Sequence, residues 1–144
     1  MSGGLCSRRV QMALLKSRTL SISIDCNPKK AYEFILNPVN LPKWAKGLSG
    51  SIKKVGEAWI AESPMGSVKV KFADKNKFGI LDHDVTLPSG IKVSNPMRVM
   101  PNGNGSEIIF TLFQQPDMSD EDYARDIGLV QQDLQNLKTI MESA

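Results

Sequence analysis

Residues 119–141, SDEDYARDIGLVQQDLQNLKTIM, decide the fold. Tyr123, Ile127, Val130, Leu134, Leu137 and Met141 recur at steps of 4, 3, 4, 3 and 4, which predicts one apolar stripe along a helix of about 23 residues. Ser119 followed by Asp122 has the form of a capping box, and Asp120, Glu121 and Asp122 suit the positive end of a helix dipole. At ~1.5 Å per residue such a helix reaches ~35 Å, enough to cross a small sheet. Its apolar stripe needs a sheet to cover it.

The preceding chain supplies one. From 49 to 114 it reads as an antiparallel meander, with candidate strands at 50–55, 57–62, 67–73, 79–87, 91–99 and 106–114. Gly56, Pro64-Met65-Gly66, 74–77, Pro88-Ser89-Gly90 and the 101–105 run Pro-Asn-Gly-Asn-Gly separate them. Val68, Val70 and Phe72 alternate with Ser67, Lys69 and Lys71, one dry face and one wet. Farther upstream, Leu20, Ile22 and Ile24 alternate with Thr19, Ser21 and Ser23 as a half-buried strand. Asn27-Pro28 then offers a cap and a first-turn proline for a helix ending at Leu36, and Asn37-Pro38 opens a second short helix carrying Leu41 and Trp44.

This order predicts an α+β fold: a curved antiparallel sheet of about seven strands wrapped on a long C-terminal helix, with two short helices after the first strand. The opening SISIDCNPKKAYEFILNPVNLPKW and the closing SEIIFTLFQQPDMSDEDYARDIGLVQQDLQNLK resemble those of the START-like, helix-grip superfamily (SRPBCC), which includes polyketide cyclases, lipid-transfer domains and pollen-allergen relatives. The resemblance covers about 18–144. It implies fold far more than function, because the superfamily has many activities and no single catalytic signature.

At 144 residues, with 41% hydrophobic and 23% charged residues, the chain has ordinary globular composition, which excludes disorder and fibres. Residues 1–17 read as a mobile tail before a single domain at 18–144, with Met12 an alternative start to Met1. No apolar run approaches the ~18 residues of a membrane span. Two cysteines, Cys6 and Cys26, make neither a disulfide framework nor a zinc site, which fits a reducing, cytoplasmic location. Asn104-Gly105-Ser106 reads as a turn in that setting.

The net charge of +3 hides an asymmetry. Residues 1–80 hold 14 Lys/Arg against 5 Asp/Glu, whereas 81–144 hold 4 against 10. Lys69, Lys71, Lys75 and Lys77 read as the solvated side of one hairpin, or as a basic face for an acidic partner. Nucleic acid is not expected, since few aromatics are interleaved with the lysines.

Candidate site residues follow from strand parity. His83, the single histidine, shares its parity with Leu81, Val85 and Leu87 and is expected on the dry face, with Asp82 and Asp84 on the wet one. There it is a polar anchor for a ligand, a proton-transfer group, or a hydrogen-bonded core residue. Strict alternation points Met97 inward and Arg98 outward; a bulge at Asn95-Pro96 would reverse them and offer Arg98 to a ligand's carboxylate or phosphate. Trp44 lies on the short helix pair, Trp59 on a strand with apolar residues at both parities, and either is packing or a platform for a flat ligand. Tyr32 and Phe110 complete the set of cavity candidates.

The absent motifs narrow the chemistry. There is no GxxxxGK[ST], no GxGxxG and no GxSxG, and one histidine leaves no candidate triad. No cofactor and no metal is expected. The expected function is binding of a small, largely apolar molecule between the sheet and the last helix, by a monomer or homodimer. The alternatives are a cyclase or dehydratase-type enzyme with His83 as base, and a co-chaperone-like interaction module.

Overall fold

Pro96, which has no amide hydrogen to give to a ladder, divides the antiparallel part of the chain into two sheets. The computed structural model describes residues 13–48 and 51–143. Strand β1 (Ser17–Ile24) leads into α1 (Pro28–Leu36), a 3-10 turn (Pro38–Asn40) and α2 (Leu41–Trp44). Strands β2 (Ile52–Val55), β3 (Ala58–Ser63), β4 (Gly66–Phe72), β5 (His83–Thr86) and β6 (Lys92–Asn95) form a five-stranded meander in that order. Strands β7 (Met97–Asn102) and β8 (Gly105–Phe113) complete a three-stranded sheet ordered β1-β8-β7, and α3 (Asp120–Ser143) follows.

The α+β helix-grip architecture is therefore present, with eight strands among the described residues where the sequence suggests about seven. The stretch 91–99 is cut at Pro96 into β6 and β7, which lie in different sheets. The stretch 79–87 shortens to β5 because Gly79 takes a φ of 70° and Ile80 pairs with Arg98. The N–H of Leu81 donates to the Met97 carbonyl at 2.8 Å, so 80–82 laces the two sheets together at their corner. β1 starts two residues earlier than the alternation from Thr19 indicates, inside the expected tail. Residues 1–12 of that tail, with Met1, Cys6 and Met12, lie outside the described residues.

Local signals operate as their chemistry requires. Asn27 Oδ1 accepts from the N–H groups of Lys29 and Lys30 at 2.9 and 3.3 Å, and Asn37 Oδ1 accepts from Val39 N–H at 3.1 Å. Ser119 Oγ accepts from Asp122 N–H at 3.0 Å at the start of α3. In that helix Tyr123, Leu134, Leu137 and Met141 are buried, with Ile127 and Val130 partly so. Full burial of a residue such as Leu137 contributes about 1.5–3 kcal/mol. Polar contacts set the register of the helix on the three-stranded sheet: Tyr123 Oη donates to the Leu112 carbonyl at 2.9 Å, and Lys138 Nζ to the Ser23 carbonyl at 2.8 Å. No helix among the described residues is long and apolar enough to cross a membrane.

Candidate ligand cleft

A cleft of about 450 Å³ opens where the end of α1 meets the five-stranded sheet. Leu36 and Pro38 form one wall, and Trp59 and Phe72 the floor. Glu57, Lys71, Asp74 and Lys75 ring the mouth, with Ala73 between them. The floor exists because Trp59 and Val70 are directly paired and Phe72 stands two residues along on the same face of β4. No residue of α3 lines this cleft, because the apolar stripe of that helix is packed into the core. The opening thus lies beside α1, away from the sheet-and-last-helix gap that the sequence suggests.

His83 stands beside Phe72 on the neighbouring strand and does not line the cleft. It pairs with Phe72 across β4 and β5, and the two rings stack with centroids 4.7 Å apart and planes at 28°. Phe110 meets the imidazole edge-on at 5.7 Å. Nδ1 lies 3.0 Å from the Leu81 carbonyl, which only accepts, so the proton sits on Nδ1 and Nε2 carries the lone pair. Burial lowers the His83 pKa, against opposing contributions from the Leu81 hydrogen bond and the charges of Asp82 and Asp84. Burial thus favours the neutral imidazole for this side chain. It offers one acceptor lone pair among aromatic rings.

The other sequence candidates divide. Trp59 is in the cleft, and Phe110 and the fully buried Met97 stand opposite one another on β8 and β7. Tyr32 is buried with its hydroxyl accepting from Asn76 N–H at 2.8 Å, so it positions the 73–82 loop. Trp44 is buried at 3% exposure under α3, where its carbonyl accepts from Asn136 Nδ2; its indole Nε1 has no partner among the described residues. Arg98 follows strict alternation, correcting the inward alternative: no bulge forms, because Pro96 ends one strand and β7 starts in fresh register. Arg98 faces solvent and pairs with Asp82 at 3.6 Å, outside the lining of this cleft. Both aspartates are on the wet face as expected, Asp84 accepting from Ser94 Oγ at 2.7 Å and Asp82 from Met97 N–H at 2.8 Å.

Sequence reasoning passed over Phe72 as a site residue. Its parity with Val70 was visible, and only the β4–β5 register shows that it faces His83. Leu36 and Pro38 carry no site signal at all; they line the cleft because the chain turns there between α1 and the 3-10 turn.

No family model matches the chain, and no curated protein does. Solved structures do. The protein XoxI from Bacillus cereus superposes with a TM-score of 0.71 at 18% identity, over 88% of this chain and 96% of that one. The Aha1 dimer from Colwellia psychrerythraea gives 0.69 at 18% identity, over 89% and 97%. The structure of Ara h 8.0201 gives 0.65 at 15% identity, over 91% and 100%. At these identities the likeness is one of fold alone, the α+β helix-grip arrangement described above.

Proposed function

We propose that this chain is a START-like superfamily protein of the cytoplasm that binds a small, largely apolar molecule in the cleft floored by Trp59 and Phe72. One observation carries the reading: Trp59 and Phe72 both line a concavity of about 450 Å³, within the ~300–1,000 Å³ usual for ligand sites. Burial of the ligand's body supplies the affinity. The lysines and carboxylates at the mouth supply the polar anchors.

Titration with 1-anilinonaphthalene-8-sulfonate, an apolar aromatic anion, tests the site. Saturable one-to-one binding is expected, weakened at least about tenfold by Trp59→Ala, on the scale of one lost aromatic contact surface. Binding that is absent, or indifferent to Trp59→Ala, overturns the proposal. Native mass spectrometry of freshly purified protein asks in parallel whether a small molecule is carried along.

A second reading, an enzyme of cyclase or dehydratase type, would use the Nε2 lone pair of His83, whose ring stacks on the lining residue Phe72. In that case His83→Gln lowers turnover by roughly 10²–10⁴-fold and leaves ligand affinity nearly intact. If His83 is an orienting anchor, the same change weakens binding by about 0.5–1.5 kcal/mol.

A further inference from the structure

The loop 73–80 holds a phenylalanine out in water. Phe78 is 76% exposed, the most exposed aromatic side chain among the described residues, and Lys75 and Lys77 beside it are exposed too. A flexible loop would fold such a ring back onto the surface. This one is built against that. Asn76 Oδ1 accepts from the N–H groups of Phe78 and Ile80 at 2.9 and 3.0 Å, and its Nδ2 donates to the carbonyls of Asp74 and Ile80 at 2.9 and 3.0 Å. The Asn76 N–H donates to Tyr32 Oη, and Val99 N–H donates to the Gly79 carbonyl at 3.0 Å. Gly79 itself, at φ 70°, leaves no room for a Cβ, which would run into the Val99 carbonyl oxygen.

The projection lies on the rim of the cleft, since Asp74 and Lys75 of the same loop line its mouth. Two further apolar side chains are exposed close in sequence to lining residues. Val39, 51% exposed, follows the lining residue Pro38, and Val55, 54% exposed, stands two residues before the lining residue Glu57. The 3-10 turn and β2 that carry them lie against one another. Lys53 and Lys54 precede Val55, and Lys75 and Lys77 precede Phe78, with Glu57 and Asp74 as neighbouring acids and Lys71 opposite Asp84 across β4 and β5.

We propose that this rim docks on a bilayer surface carrying anionic lipid, with Phe78 inserted at the acyl boundary and the lysines among the headgroups. Isolated apolar side chains raised on a rigid rim and set among lysines match an interface that is apolar below and anionic above. A protein partner wants a continuous buried patch instead, and here the apolar positions are separated by charged ones. Docked this way, the cleft mouth faces the lipid. The proposal stands apart from ligand binding at Trp59, and its test reads a different residue.

The test is co-sedimentation of the full chain with phosphatidylcholine vesicles and with vesicles containing about 30% phosphatidylserine, at about 0.1 M salt, where the Debye length is ~10 Å. Binding to the anionic vesicles only, released by about 0.5 M salt, is expected. Phe78→Ser should reduce the bound fraction at least about tenfold, as loss of the inserted ring requires, with melting temperature and 1-anilinonaphthalene-8-sulfonate binding unchanged. Phe78→Trp should retain it. Failure of the natural chain to prefer anionic vesicles overturns the proposal, as does equal sedimentation of Phe78→Ser. Capture of poly-glutamate by the natural chain and Phe78→Ser alike, without vesicle binding, overturns it too and assigns the lysines to an acidic protein.

Discussion

Asp133 Oδ1 accepts a hydrogen bond from the backbone N–H of Lys46 at 3.2 Å, tying the segment after α2 to the middle of α3. Burial pushes the Asp133 carboxyl up to about 6, outweighing that hydrogen bond and the charge of Lys46. A carboxyl whose pKa is raised by folding holds its proton more tightly in the native state. Its ionisation therefore opposes folding, and stability from this group falls as pH rises from the ordinary 3.8 through about 6. Asp133→Asn keeps the acceptor oxygen and removes the charge. The difference in melting temperature between Asp133→Asn and the natural chain should grow in the variant's favour from pH 4.5 to 7.5. Parallel profiles would refute this.

His83 has the opposite sign. A base whose pKa is lowered by burial binds fewer protons when folded than when unfolded. Its stabilising share is complete above the unfolded value of about 6.5 and is lost as pH falls below it. His83→Phe removes the titration, keeps an aromatic ring against Phe72 and Phe110, and leaves the Leu81 carbonyl without its donor. Urea unfolding at pH 7.5 should show a loss of about 0.5–1.5 kcal/mol. The loss should shrink as pH is lowered from 6.5 to 5, and a constant loss would contradict the assignment.

The stripe of α3 is tested by neighbours. Leu134 is 2% exposed and Gln135 is exposed. Leu134→Asp buries a charge in the core and should remove several kcal/mol from a total of ~5–15 kcal/mol. Gln135→Asp should change stability by well under ~1 kcal/mol. Thermal melts that shift equally would show that the helix has been turned to the wrong face.

Two glycines should respond in opposite directions to alanine. Gly79→Ala drives a methyl group into the Val99 carbonyl at a positive φ, and should destabilise the corner between the sheets and withdraw Phe78 from its exposed position. Gly128 lies in α3 with open space around it, so Gly128→Ala should stabilise by roughly 0.8–1 kcal/mol, the helix-propensity difference. Chemical denaturation reads both, and a destabilised Gly128→Ala would be the contrary result.

Elements whose signal is local were legible in the sequence. The period of Tyr123 to Met141, the Asn27 and Ser119 caps and the alternation of Val68, Val70 and Phe72 each depend on a few adjacent residues, and each reappears in space. The inward placement of His83 followed from parity alone. What parity cannot carry is the third dimension: which strand end meets which helix end. Leu36, Pro38, Trp59 and Phe72 converge only because the chain bends at positions with no chemical mark, so a cleft beside α1 was not legible in them. Pro96 shows the same limit in miniature. Its missing N–H was plain, whether it made a bulge or a break was set by the pairing of β7 with β8, and the direction of Arg98 hung on that.

The pairing of β1 with β8 governs the order in which the molecule assembles. Ser17 lies opposite Phe113 and Ile24 opposite Ser106, so the first strand finds its one ladder partner more than eighty residues later. The five-stranded meander closes through neighbours in sequence and can form early, whereas β1 keeps both edges unpaired until β8 exists. On a ribosome adding ~5–20 residues per second, that leaves the alternating segment 17–24 exposed for several seconds. Its hydroxyl face, Ser17, Thr19, Ser21 and Ser23, then serves a second purpose, keeping one side of a waiting strand wet enough to resist pairing with another nascent chain.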